Sequence, residues 1–322
     1  MRSHRIAIDT QGLPLPIIVN VRDDNQQTTP GRVRHHFTVD VEEHFQVSAM
    51  EPYVPRSQWD AMPSRVDRNT RLLLDLLAAN SAKGTFFTLG WVAKRQRALV
   101  ADIVAAGHEM ASHGFGHERV TTLTPAQFRD SVRDSKAILE DITGAPVFGY
   151  RAPSFSIVRG GEWALDILIE EGYRYDSSLF PVIRSGYGYR GGQRDHHVLS
   201  RSAGQLDEVP PVTLKVGAAV LPAAGGAYLR LLPPMLIETA VASAERRGEA
   251  ATLYIHPWEV DPEQPRIDVS LKTRIRHYGG LRRTSPRLER LLKKFKFQPI
   301  CATLGCDQRV QQNDAGHSSG AL

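Results

Sequence analysis

The sequence predicts an α/β fold: a distorted, incomplete (β/α) barrel of about seven parallel strands with a helical C-terminal extension. Three observations predict it. From His36 onward, short runs of apolar and β-branched residues alternate with stretches of helical period, the pattern of parallel strands joined by crossover helices. Chemically active side chains collect at the C-terminal ends of those runs, which in a barrel share one face. The 322 residues, 41% hydrophobic and 23% charged, suffice for a barrel of about 250 residues with tails.

Taken in order, residues 1–33 are polar and read as a flexible leader. Pro14 and Pro16 interrupt the first twenty residues and no small-residue cleavage site follows, so no export signal is expected and the expected location is the cytoplasm. Strand 36–41 leads to a helix near 64–79, with Ser64 as its expected cap and Val66, Leu73, Leu74 and Leu77 as its buried stripe. Residues 85–89 form the second expected strand, and a helix over 95–106 stops at Gly107. Strand 108–112 delivers His113. Thr124 caps and Pro125 starts the next helix, buried through Phe128, Val132, Leu139 and Ile142. Strand 147–151, helix 161–171 and a short strand 173–176 follow. Residues 184–205, rich in Gly, Arg and His without period, read as a long loop. A strand over 208–214, a helix over 234–247 and a last strand, 251–255, complete the alternation. A final amphipathic helix spans 286–297, with Leu288, Leu291, Leu292 and Phe295 on one side. The expected domain limits are 34–303, including a basic extension from about 262, and a flexible tail over 304–322.

Several function classes drop out early. There is no run of about 18 apolar residues to span a membrane and no Gly-rich phosphate loop. The two cysteines, Cys301 and Cys306, are too few for a disulfide framework and read as free thiols. The net charge of +5 is uneven. Lys272 to Lys296 holds ten Lys and Arg against Glu289 alone. Such a segment suits an anionic partner, although packing its apolar stripe on the barrel and turning its charge to water is the expectation here.

The candidate site residues stand at the strand ends. Asp40 and Glu42, at i and i+2 of an extended run, share one face. His113 and His117 form an H-x3-H pair, and Gly114 and Gly116 between them argue for a turn rather than a helix. Two imidazoles and one carboxylate leave a position open on a hydrolytic metal; they suit Zn²⁺ without excluding Ni²⁺, Co²⁺ or Mn²⁺. Arg151, Asp176 and His256 end three further strands.

Five motifs in order give a resemblance. Thr38-Val39-Asp40-Val41-Glu42, Glu109 through His117, Arg151-Ala152-Pro153-Ser154, Tyr175-Asp176-Ser177-Ser178 and Leu253-Tyr254-Ile255-His256 resemble, in sequence, the motifs of the polysaccharide deacetylase family, the group sharing the nodulation-deacetylase homology domain. The His256-Pro257-Trp258-Glu259 run and Tyr278 through Thr284 resemble a bacterial subgroup found with exopolysaccharide assembly genes. The sequence departs from the family where Val41 replaces its second Asp, Ser154 its Tyr, and Tyr254 the Leu of its acetyl pocket. Some members carry the metal carboxylate two residues after the base, a place Glu42 fills; Glu43 is the rival.

The resemblance implies a metal-dependent hydrolase that removes N-acetyl groups from an amino-sugar polysaccharide or a lipid-linked oligosaccharide precursor. It implies a divalent metal, Zn²⁺ first, on Glu42, His113 and His117. Asp40 acts as base, Arg151 pairs with and orients it, and His256 protonates the leaving amine with Asp176 favouring its charged form. Ser154 and Tyr254 line the substrate and oxyanion side. A cyclic-amide or O-acetyl ester hydrolase on the same site, and a non-catalytic glycan-binding protein, are the alternatives. No nucleic acid partner is expected, and the basic C-terminal helix allows weak peripheral association with the inner face of the membrane.

Overall fold

The structure, a computed structural model, describes residues 33–184 and 187–306. The expected leader up to residue 32, and the tail from residue 307, lie outside the described residues. Strand β1, Arg34–Val41, sets the frame. Its odd positions Phe37, Val39 and Val41 join the main core with Leu73 and Leu77 of helix α1, Val66–Ala79. Its even positions, Thr38 and Asp40, point to the other face, as the two-residue period requires. That period decides which side chains reach the site.

The chain then alternates. After α1 come β2 (Thr85–Thr88), α2 (Gly90–Arg95), α3 (Arg97–Ala105), β3 (Glu109–Ser112), α4 (Pro125–Thr143), β4 (Gly149–Tyr150), α5 (Trp163–Glu170) and β5 (Tyr175–Asp176). Thr124 and Gln127 close a reciprocal capping box at the start of α4, with Pro125 at its first position. Ser64 does not cap α1; its hydroxyl donates to Glu43, whose carboxylate accepts the Arg65 N–H at 3.0 and 3.1 Å. An acidic side chain thereby takes the free donors of the helix start.

The second half holds β6 (His197–Arg201), β7 (Gly204–Glu208), β8 (Thr213–Val216), β9 (Ala219–Pro222), α6 (Ala227–Leu231), α7 (Pro234–Glu245) and β10 (Thr252–Ile255). Then follow α8 (Leu271–Tyr278), α9 (Thr284–Lys294), β11 (Lys296–Gln298) and α10 (Ile300–Leu304). The strands run in the order β10-β1-β2-β3-β4-β5-β7-β6, and β11 also pairs with β1 at Arg34–His36. Seven members of the row, β10 through β5 and β7, are parallel; β6 is antiparallel to β7. The fold is thus the mostly parallel α/β sheet that the alternation predicts. The segment after β7 touches β10 through an isolated bridge from Pro211 to Thr252, with the Val212 N–H donating to the Thr252 carbonyl at 3.0 Å.

The structure corrects several expectations. The expected loop 184–205 contains β6 and the start of β7. Only alternate residues of β6, His197 and Leu199, are buried at this sheet edge, so the run carries little apolar signal. The strand expected over 208–214 is the end of β7 and the start of a separate β8–β9 hairpin. The C-terminal helix ends at Lys294 and its chain re-enters the sheet as β11, so β10 is not the last strand. The apolar stripe of α9 is buried in the main core, as the packing expectation has it. Leu304 and Cys306, placed in the expected tail, pack with Phe87, Ala111 and Ile300. Both cysteines are free thiols and buried.

Candidate active site

The parallel strands deliver their C-terminal ends to one cleft of about 620 Å³, lined by Asp40, Glu42, His113, His117, Tyr254 and His256 among others. Glu42 lies one residue beyond β1, fully buried, with one oxygen 2.8 Å from His117 Nε2. That oxygen accepts no hydrogen bond. Its other oxygen accepts the Trp258 indole N–H at 3.2 Å. Burial alone pushes the Glu42 carboxyl up; His117 and His256 outweigh it and hold it below its ordinary value.

His113 follows β3 directly. Its Nδ1–H donates to the Arg151 carbonyl at 2.8 Å, which leaves Nε2 with a free lone pair. Burial, reinforced by His117, pushes its pKa down to about 3, so the ring is neutral as a metal ligand must be. The loop to His117 bends through left-handed backbone at Gly114 (φ 74°) and His117 itself (φ 61°). The first amides of α2 pin that loop: Gly90 donates to the Gly114 carbonyl at 2.9 Å and Trp91 to the Phe115 carbonyl at 2.7 Å. A β-carbon on Gly90 would stand 2.6 Å from the Phe115 ring, so this close approach requires glycine. Ligand atoms of Glu42, His113 and His117 all lie within 4.8 Å of one another. A buried carboxylate oxygen that accepts no hydrogen bond, beside two imidazoles, fits a divalent cation. Glu43, the rival carboxylate, is turned to the start of α1.

Beside this set, Asp40 accepts from Arg151 Nη1 at 2.7 Å. Arg151 is fully buried and spends its remaining donors on Thr38 Oγ1 at 2.6 Å and on the Ser177 hydroxyl and carbonyl at 2.8 and 3.2 Å. The second Asp40 oxygen stands 3.9 Å from His256 Nε2, and a Glu42 oxygen stands 3.6 Å from it.

Asp176 does not reach His256. It accepts from the Ser178 hydroxyl and amide and shares its surroundings with Glu208, where burial pushes its pKa up to about 6. Ser178 in turn accepts the Ala152 N–H at 2.8 Å, so this carboxylate braces the loop after Arg151. The partner of His256 is Glu259, 2.7 Å from Nδ1. Arg230 Nε donates to the other Glu259 oxygen at 2.6 Å, both groups being buried. Arg230 spends further donors on the carbonyls of Arg276 and His277. Trp258 is sandwiched between His256 (centroids 5.1 Å apart) and His277 (4.2 Å). Burial works against a charge on His256, but Glu42, Glu259 and Asp40 outweigh it and push its pKa up to about 9. Sequence reasoning missed Glu259, although its signal is local: Pro257 starts a single 3-10 turn that brings a residue three positions on back over His256.

Ser154 and Phe155 both adopt left-handed backbone (φ 55° and 53°), sparsely populated for residues with side chains. Ser154 Oγ bonds Ser48 Oγ at 2.8 Å, and Phe155 packs edge-on against Tyr254 at 4.9 Å. Tyr254 also abuts His256 at 5.6 Å. Ser154 and Tyr254 therefore line the same wall of the cleft.

Residues 57–164 match the model of the polysaccharide deacetylase family, and residues 177–304 match a domain of unknown function, DUF3473. The polysaccharide deacetylase match covers about a third of the chain. It is 29% identical over 166 residues to a peptidoglycan deacetylase of Helicobacter pylori, a match covering 51% of this chain and 55% of that protein. It is 33% identical over 97 residues to a chitooligosaccharide deacetylase of a Bradyrhizobium species, covering 30% of this chain and 42% of the relative. The chain thus spans about half the length of these curated relatives. In fold it is similar to a protein from Mycobacterium smegmatis assigned as a polysaccharide deacetylase, with a TM-score of 0.57 at 20% identity over 92% of this chain and 96% of the other. An allantoinase superposes with a TM-score of 0.54 at 16% identity over 85% and 90%.

Proposed function

We propose that this chain, built on a polysaccharide deacetylase domain, is a metal-dependent hydrolase that removes N-acetyl groups from an amino-sugar polysaccharide or its lipid-linked precursor. The observation that carries the reading is the meeting of three ligand-type groups, Glu42, His113 and His117, with Asp40–Arg151 and His256–Glu259 around one cleft. Two imidazoles and a carboxylate favour Zn²⁺. When bound, such a cation supplies Lewis acidity toward the amide carbonyl and toward water.

The rest of the work falls to the chain. Asp40, held by Arg151 through one oxygen, presents the other to the cleft and takes the proton of the attacking water. His256, cationic through Glu42, Glu259 and Asp40, gives a proton to the departing amine. Glu259 fixes the ring through Nδ1, so Nε2 is the nitrogen that faces the substrate. A backbone N–H at the Ser154 turn stabilises the oxyanion, and Tyr254 with Phe155 walls the acyl group. A role in exopolysaccharide assembly, on the cytoplasmic side, draws its support from the His256–Glu259 and Tyr278–Thr284 runs inside the DUF3473 match.

The test is acetate release by the Zn²⁺-loaded protein from N-acetylated glucosamine oligomers, beside O-acetylated xylan and a cyclic amide. Release from the amino-sugar oligomers at least tenfold above both alternatives is expected. Turnover confined to the ester or the cyclic amide would replace the substrate and keep the site.

A further inference from the structure

Four large apolar side chains stand exposed on α6, α8 and the residue before Arg184: Ile183, Leu231, Leu271 and Ile275. Leu271 and Ile275, 70% and 55% exposed, are one turn apart and share a face of α8. Leu231 ends α6, and its Cδ2 lies 3.1 Å from where a β-carbon on Gly279, just past α8, would stand. Tyr53, also exposed, accepts the Ser270 N–H at 3.1 Å and adjoins the other end of α8. Ile183 precedes Arg184, whose Nε donates to the Tyr228 hydroxyl on α6 at 3.3 Å. These contacts bring α6, α8 and the Ile183–Arg184 segment together, with exposed apolar side chains on each.

Cations are interleaved with these side chains. Among the described residues, no carboxylate lies within ion-pair distance of Arg184, Lys272 or Arg276. The Tyr228 hydroxyl that accepts from Arg184 lies 2.9 Å from the Tyr187 hydroxyl. Arg184, Tyr228 and Arg276 also line the cleft. Helix α9, by contrast, has its stripe buried, Arg290 and Lys294 paired with Glu238, and Lys293 paired with Glu289. Its charge is largely committed within the fold.

We propose that α6, α8 and the Ile183–Arg184 segment form a docking face for an anionic lipid surface, onto which the cleft opens. Aliphatic side chains between unpaired cations fit the boundary between acyl chains and phosphate headgroups. A glycan would call for aromatic and hydrogen-bonding groups instead, and an acidic protein partner is an outcome of the test. The docking does not depend on the chemistry of the cleft; it explains how a lipid-linked glycan would meet it.

The full chain is co-sedimented with vesicles of phosphatidylcholine, with and without phosphatidylglycerol, at low and high salt. Binding is expected to the phosphatidylglycerol vesicles alone and to weaken with salt. Lys272→Gln and Arg276→Gln should each weaken it about fivefold at low salt. The double change Leu271→Ser, Ile275→Ser should weaken it by about tenfold or more. Lys293→Gln on α9 should leave it unchanged. These positions are exposed, and a thermal melt verifies that each variant folds. Failure to bind phosphatidylglycerol vesicles at low salt overturns the proposal. So does equal binding to both vesicle types, or binding that resists all the α8 changes. Acetate release, measured separately, decides the deacetylase reading whatever the vesicles show.

Discussion

Replacing Arg151 with Met separates two jobs that one residue performs. The side chain is the buried cation of Asp40, while the backbone carbonyl accepts from His113 Nδ1. Arg151→Met removes the first and leaves the second. Breaking a buried ion pair on one side costs about 3–5 kcal/mol, because the remaining charge is stranded. With an unfolding entropy of about 2.1 cal/mol/K per residue over the roughly 270 described residues, each kcal/mol moves the midpoint by about 2 °C. A fall of about 5–9 °C in Tm is therefore expected. Turnover should drop by about 10²-fold or more, since the base loses the partner that aims it. Metal content should stay near wild type. Thermal melts, metal analysis and acetate release from N-acetylated oligomers read the three quantities. An unchanged melt with unchanged turnover would refute the buried pair. Loss of metal together with turnover would mean that the side chain supports the ligand set rather than the base.

Glu42→Gln should lose most bound metal, whereas Glu43→Gln should keep it and lose about 1 kcal/mol of stability from the start of α1; metal analysis with melts distinguishes them. Asp40→Asn should retain metal and lose about 10²–10⁴ in turnover, because an amide cannot take the proton. Glu259→Gln strands the buried Arg230 and should cost about 3–5 kcal/mol in a denaturation experiment, with turnover falling as His256 loses its orientation. Acid should weaken the fold before the carboxylates titrate. Burial pushes the pKa of His36 and of His277 down to about 3. The unfolded chain binds those protons first, so the stability they contribute is complete above about pH 6.5. It declines as pH falls toward about 3, by about 1.4 kcal/mol per histidine per pH unit. Unfolding free energies from pH 7 to pH 5 that do not fall would contradict their burial as neutral rings.

What was legible in the sequence follows from which forces leave a periodic trace. The strand β1 is buried on both faces, so its apolar run and the carboxylates at its end are readable without a partner. Helix α4 announces both ends, by Thr124-Pro125 and by Gly144, which takes left-handed backbone there. β4 and β5 have two residues each, shorter than the strands expected over 147–151 and 173–176 and too few for a period. β6, β8 and β9 lie outside the parallel row and show weak or half-buried patterns.

The site shows the same division between residue type and pairing. Placing Asp40, His113, Arg151 and His256 at strand ends brings them to one face, since parallel strands share their C-terminal edge. Which of these groups meet is a matter of tertiary distance. Arg151 finds Asp40 across 111 residues. Asp176, though at a strand end, turns to Ser178 and Glu208. His256 Nδ1 is held instead by a residue three positions on, and that residue is held by Arg230, which no motif marks. A carboxylate at a strand end can point along the sheet as readily as into the cleft. A carboxylate one turn after a histidine has only a short arc to cover, and here Pro257 starts that arc. Local closure thus takes the place that a carboxylate from a neighbouring strand was expected to fill, and it leaves Asp176 free to brace the loop that carries Arg151.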